Sequence, residues 1–265
     1  MDTDDKTIGR LFSRREALAT AAKTGLVLVA GSGMQRLTLA GQSKPHIHIV
    51  VSPEFTEGPF FVDEKLNRSD LVAGATRPSV VNGLPLLLSL EVYKLVGDSH
   101  QPLRDAHIDV WHADAARVYS DESNPMNHED TGRQTWLRGY QATDARGSAQ
   151  FKTIFPGWYS GRAPHIHFKV RTYSTPNKAT AEFTSQLFFR DADAIRIYAA
   201  DAYSSRGGHD TSNSNDGVFN DFQVDGKPAG SLMLLDLAKN GAGYKAHFAI
   251  LLDDSNLHGG RLRRP

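Results

Sequence analysis

Residues 155–170 read Phe-Pro-Gly-Trp-Tyr-Ser-Gly-Arg-Ala-Pro-His-Ile-His-Phe-Lys-Val, and the alternation in the second half of that run fits one backbone conformation. Successive side chains of a β-strand point to opposite faces. An extended chain therefore puts Ile166, Phe168 and Val170 on one side and His165 and His167 on the other. The apolar side can anchor the strand in a core while the two imidazoles project together into a cavity, close enough to grip one ion. Neutral imidazole is the commonest metal-ligating side chain. Pro156-Gly157 and Gly161 predict a turn just ahead of the strand, which holds Tyr159 and Arg162 beside its entrance. His46-Ile47-His48 repeats the alternation without a neighbouring Tyr-Gly-Arg and reads as solvated or structural.

Short β-like runs separated by turn signals continue along the chain. Leu86, Leu88, Leu90 and Val92 alternate within a predicted strand at 84–95, and further strands are expected at 107–112, 149–154, 164–171, 185–189, 218–224 and 244–252. Asp144-Ala145-Arg146-Gly147 reads as a hairpin turn. Helix is scarce; residues 191–203, with an aspartate at the start and an Ala-rich interior, are the best candidate. Several antiparallel strands with loops between them predict an all-β sandwich with few short helices. No internal repeat or linker divides the chain after residue 40, so residues 41–265 read as one domain.

With 30 Lys and Arg against 30 Asp and Glu, the chain has no global field to hold a polyanion, which argues against nucleic acid as a partner. Cysteine is absent, so disulfides, thiolate ligands and a cysteine nucleophile are excluded together. Any metal must be held by nitrogen and oxygen.

Residues 1–40 read as a targeting segment. Ser13-Arg14-Arg15-Glu16-Ala17-Leu18 resembles the twin-arginine export signal and precedes a moderately apolar stretch interrupted by Lys23. Thr38-Leu39-Ala40, with small residues at its first and last positions, is the expected cleavage site ahead of Gly41. The expectation is an exported protein, periplasmic or extracellular, handled by the twin-arginine machinery. That route carries folded proteins, so a metal can be inserted before export.

A second cluster, Asp109-Val110-Trp111-His112-Ala113-Asp114-Ala115-Ala116-Arg117-Val118-Tyr119, makes the combination specific. An Asp-x-Trp segment running to Tyr119, then Pro-Gly-Trp-Tyr159, Arg162 and His165-Ile166-His167, resembles the intradiol ring-cleavage dioxygenases, the family of catechol and protocatechuate dioxygenases. Residues 56–61 and 138–144 also look like family segments, and the resemblance spans roughly residues 53–252. It implies an immunoglobulin-like or prealbumin-like sandwich carrying non-haem Fe(III). By position, Tyr119 and His165 match the equatorial ligands and Tyr159 and His167 the axial ones. Arg162 matches the arginine beside the substrate ring, and Gln186 looks like the family glutamine just outside the metal ligands. The implied reaction opens a catechol-type diol with dioxygen to a cis,cis-muconate-type diacid. Two phenolates and a hydroxide would balance the charge of Fe(III). Phe61, Trp111 and Trp158 are candidate aromatic walls. A homo-oligomer is compatible with the sequence, which fixes no stoichiometry.

Two other readings compete. A non-catalytic sandwich module that binds a ligand in its loops would carry no stoichiometric iron. A cupin-like Fe(II) or Mn(II) oxygenase also uses His-x-His in a strand, but expects a glutamate soon after, where this chain has Lys169-Val170-Arg171-Thr172. A zinc hydrolase lacks its H-E-x-x-H motif here. His128, His209, His247 and His258 have no partner at metal spacing and are left as structural or solvated.

Overall fold

Alternation along the first strand, β1 (Pro85–Val96), buries Leu86, Leu88, Leu90 and Val92 on one face. The computed structural model describes residues 51–97, 99–175, 178–204 and 207–253. The twin-arginine-like segment, His46, His48 and His258 lie outside the described residues. After β1 come β2 (Ser99–Pro102), β3 (His107–Trp111), β4 (Arg138–Ala142), β5 (Ser148–Ile154), β6 (His165–Thr175) and β7 (Lys178–Phe189). Then follow β8 (Gln223–Val224), β9 (Lys227–Pro228), β10 (Leu234–Leu235), β11 (Ala238–Asn240) and β12 (Gly243–Leu252).

Two five-stranded sheets form. One has the order β11-β12-β1-β2, with β5 pairing the first part of β1; the other has the order β10-β7-β6-β3-β4. Leu88, Leu90 and Phe151 from the first sheet share one buried cluster with Val110, Ile166, Phe168 and Leu187 from the second. The fold is an all-β sandwich with few short helices, as the alternation predicts.

Three local expectations are corrected. The turn at 144–147 joins β4 in one sheet to β5 in the other, so it is a corner and not a hairpin. Gly147 is required there: its φ is 74°, and a Cβ would fall 2.4 Å from the Val92 carbonyl oxygen. The predicted helix at 191–203 divides into Asp191–Tyr198 and Asp201–Ser204. Tyr198 and Tyr203 donate hydroxyl hydrogen bonds to the adjacent carbonyls of Pro156 and Phe155, at 2.9 and 2.6 Å. In one continuous helix, side chains five apart would point about 140° from each other, so the break lets both reach the same target. Residues 218–222 form turns, because Asp216 accepts the Val218 and Phe219 amides and draws the chain into a tight reversal.

The outer face of the second sheet is polar and buried. His165, His167, Lys169 and Arg171 of β6 lie on it, flanked by Asp109 and Trp111 of β3 and Gln186 of β7. Residues 56–63 cross this face as a strap. Lys169 pairs with Glu57, Arg171 pairs with Asp63 at 2.9 Å, and Arg138 donates to the Phe60 carbonyl at 2.6 Å.

Candidate metal centre

Tyr119 reaches this face from the loop after β3. Asp114 is fully buried and reverses the chain: one carboxylate oxygen accepts the Ala116 and Val118 amides at 2.9 Å each, while the other accepts Ser79 and Arg77 at 2.5 Å each. Asn127 then clamps Tyr119 by its backbone. Its Oδ1 accepts the Tyr119 N–H at 2.7 Å and its Nδ2 donates to the Tyr119 carbonyl at 2.9 Å.

The 155–164 segment approaches the same point. Gly157 donates to the Asp114 carbonyl at 3.1 Å, and a Cβ at 157 would lie 2.2 Å from that oxygen, so a glycine is needed for the two loops to meet. Tyr159 follows on the turn, and its hydroxyl lies 3.0 Å from Nε2 of His165. Nε2 of His165 lies 3.1 Å from Nε2 of His167. His165 Nδ1 is 2.7 Å from the Ala163 carbonyl and can only donate there, so its Nε2 keeps a free lone pair. A metal-binding histidine is oriented in the same way by its second nitrogen.

Aromatic contacts set the rings. Trp111 stacks on His167 with centroids 4.9 Å apart, and Phe60 stacks on Tyr119 at 4.5 Å. Gly58, at φ 71°, passes so close that a Cβ would sit 3.3 Å from Cε1 of His167. Phe61 packs against Trp111, whereas Trp158 packs against the main core and not with this cluster.

Burial holds the four side chains in their neutral forms. Burial, reinforced by Arg162, holds the pKa of both His165 and His167 well below the ordinary histidine value, leaving neutral imidazoles. Burial raises both tyrosines above the ordinary phenol value, Tyr119 further through its neighbour Tyr159; Arg162 partly offsets the shift at Tyr159. The Tyr119 hydroxyl faces Tyr159 but completes no hydrogen bond of normal geometry, and His167 Nδ1 has no partner. Two phenols and two imidazoles converge with an orphaned hydroxyl and an unprotonated nitrogen among them. These donors fit a metal whose charge is high enough to ionise phenol. Among the described residues, no group of three or more His, Asp and Glu side chains could hold a metal, so a metal at this cluster would need the tyrosines as donors.

Arg162 sits at the edge of the cluster. Its Nε donates to Asp216 at 2.9 Å and its Nη2 to Oε1 of Gln186, whose Nε2 donates to the Thr56 carbonyl at 2.8 Å. The structure thus brings Tyr119, Tyr159, Arg162, His165, His167 and Gln186 together. Sequence reasoning missed Asp114, Asn127 and Asp216, the buried polar residues that fix the loops; no periodicity marks a single loop aspartate or asparagine. His112 carries no signal in the sequence beyond its place at the end of a strand. It is buried, 2.6 Å from the Thr153 hydroxyl, and burial pushes its pKa down to about 4. His209 and His247 lie near Asp191 and Glu91, away from the centre.

A β-sandwich that carries two tyrosines and two histidines together on the outer face of one sheet has a donor set that suits a non-haem metal. The family model described as Dioxygenase matches residues 56–224, and the chain belongs to that family, the intradiol ring-cleavage dioxygenases, which are oxidoreductases. No curated protein matches the sequence. Among solved structures, the intradiol ring-cleavage dioxygenase from Tetranychus urticae is 24% identical with a TM-score of 0.62, over 81% of this chain and 96% of that one. The dioxygenase domain of a dioxygenase carbohydrate-binding protein fusion from the cellulolytic bacterium Streptomyces sp. SirexAA-E is 27% identical with a TM-score of 0.50, over 77% of this chain and 98% of that one.

Proposed function

We propose that Tyr119, Tyr159, His165 and His167 hold Fe(III), and that the protein opens a catechol-type aromatic diol between its two hydroxyl-bearing carbons, using dioxygen, to give a cis,cis-muconate-type diacid. The observation that carries this reading is the convergence on Nε2 of His165 of the Tyr159 hydroxyl at 3.0 Å and Nε2 of His167 at 3.1 Å, beside an unpartnered Tyr119 hydroxyl. Fe(III), when bound, supplies the Lewis acidity and electron withdrawal that open the catecholate ring to dioxygen.

The four ligands have unequal roles. Tyr119 is buried and clamped through its backbone by Asn127, so it stays in place. Tyr159 is half-buried on a turn, and its oxygen, as phenolate, can take up one catechol proton as substrate binds. His165 and His167 are rigid strand residues; Trp111 backs His167 and Ala163 fixes the tautomer of His165. Arg162 is held at two edges of its guanidinium, which fixes a cation where negative charge develops on the ring. Trp111, Phe60 and Phe61 exclude water from the buried side.

The twin-arginine-like segment supports a further part of the proposal: the protein is exported and meets catechols outside the cytoplasm. Iron content and the visible spectrum of purified protein test the centre. One iron per chain and a visible tyrosinate-to-iron band are expected, with a shift of that band on anaerobic addition of catechol. Colourless, iron-free protein after reconstitution would overturn the proposal.

A further inference from the structure

We propose that Asp216 is the positioning residue for the substrate-facing side of the centre, anchoring with one carboxylate both the Arg162 guanidinium and the backbone that orients His165. This rests on the function proposed above, and it assigns a role to a residue that carries no motif.

The geometry divides the two oxygens of Asp216 between two tasks. Oδ1 accepts the Val218 and Phe219 amides, at 2.7 and 2.9 Å, and so closes its own turn. Oδ2 is directed elsewhere in the chain, to Arg162 Nε at 2.9 Å and the Ala163 amide at 2.7 Å. A carboxylate that served only the 216–219 turn would need only the first oxygen. Ala163, held at its N–H by Asp216, is the residue whose carbonyl accepts the His165 Nδ1 proton. Arg162, held at Nε by Asp216, is gripped at Nη2 by Gln186, and Gln186 is tied to the strap at Thr56. The guanidinium plane is therefore set from two sides, and one anchor is shared by the cation and by the segment leading into β6.

Only a carboxylate meets all four demands. Asp216 is fully buried and faces four N–H donors. An asparagine there presents one oxygen and one NH2 group, so either flip sets two N–H donors against the NH2. Asp216→Asn should thus lose the anchor while keeping the size of the side chain.

The test is a double-mutant cycle read by binding of 4-nitrocatechol to iron-loaded protein under anaerobic conditions, followed in the visible spectrum. Asp216→Asn and Arg162→Gln are each expected to weaken binding about tenfold or more, the scale of a lost charge-assisted hydrogen bond. The double variant is expected to bind clearly more tightly than the sum of the two single effects would give, because Asp216 acts in part through Arg162. Wild-type affinity in Asp216→Asn, or an effect that adds in full to that of Arg162→Gln, would reduce Asp216 to a staple of its loop and overturn the proposal. Should Asp216→Asn fail to fold, the Nε–H proton of Arg162 in diamagnetic wild-type protein, metal-free or gallium-loaded, decides the matter by NMR. Protection from solvent exchange supports the anchor, and fast exchange overturns it. Failure of the wild-type protein to bind iron or 4-nitrocatechol would instead strike the proposed function.

Discussion

Single residues carry the centre in two different ways. The ligand side chains were legible because they occur as a motif: His165 and His167 alternate with apolar residues, and Tyr159 and Arg162 precede them at a glycine turn. Asn127 was not legible, since an isolated asparagine between strands looks like any other loop residue. Its role follows from burial and from two-sided contact with the Tyr119 backbone. Asn127→Ala should cost about 2 kcal/mol or more by leaving buried backbone groups unpaired, measurable by urea denaturation, and should weaken metal retention. Gly58 is a second hidden determinant. Alanine there meets both the left-handed backbone and the His167 ring 3.3 Å away. Gly58→Ala should cost about 1–2 kcal/mol from the backbone alone and lower iron affinity in a chelator competition. Tyr159→Phe is expected to keep its iron but turn over catechol more slowly; undiminished turnover in a steady-state oxygen-uptake assay would contradict its role as proton acceptor.

At the scale of elements, β6 combines two functions along one face. Its first two outward residues are the imidazoles; the next two, Lys169 and Arg171, hold the strap across the sheet. Alternation predicted which face each would occupy but not that both faces would be buried, because the strap that covers the outer one comes from more than a hundred residues away. Arg171 binds Asp109 through two of its nitrogens at 2.8–3.0 Å and also Asp63. Asp109 is itself buried, and burial pushes its pKa up to about 6 in spite of Arg171. Removing the arginine would strand that carboxylate. Arg171→Ala should therefore destabilise by about 3–5 kcal/mol, read as a lower denaturant midpoint. The corner at 144–147 and the split helix were misread for a related reason: turn residues and helix formers specify local geometry, while contacts to the other sheet and to residues 155–156 decide where the chain goes next.

For the molecule as a whole, the sandwich class followed from the spacing of apolar alternation, since only packing of two such faces buries Leu88, Phe151, Ile166 and Phe168 together. The number of strands did not, because short exposed strands such as β2 and β11 carry no alternation. Buried neutral histidine makes the whole fold acid-sensitive. His112 holds its pKa near 4, against 6.5 for a free side chain, so the unfolded chain binds an extra proton between those values. Stability is complete above about pH 6.5 and is lost as the pH falls toward 4, by roughly 3 kcal/mol from this group. In metal-free protein His165 and His167 act in the same direction. Urea denaturation at pH 7 and pH 5 should show the loss, and His112→Gln should flatten it. The decisive measurement for the centre is product analysis after iron-reconstituted protein is given catechol and ¹⁸O-labelled dioxygen. A muconate-type diacid with one labelled oxygen in each new carboxyl group is expected. A ring-opened semialdehyde, or no product from fully iron-loaded protein, would contradict intradiol cleavage at the Tyr119, Tyr159, His165 and His167 cluster.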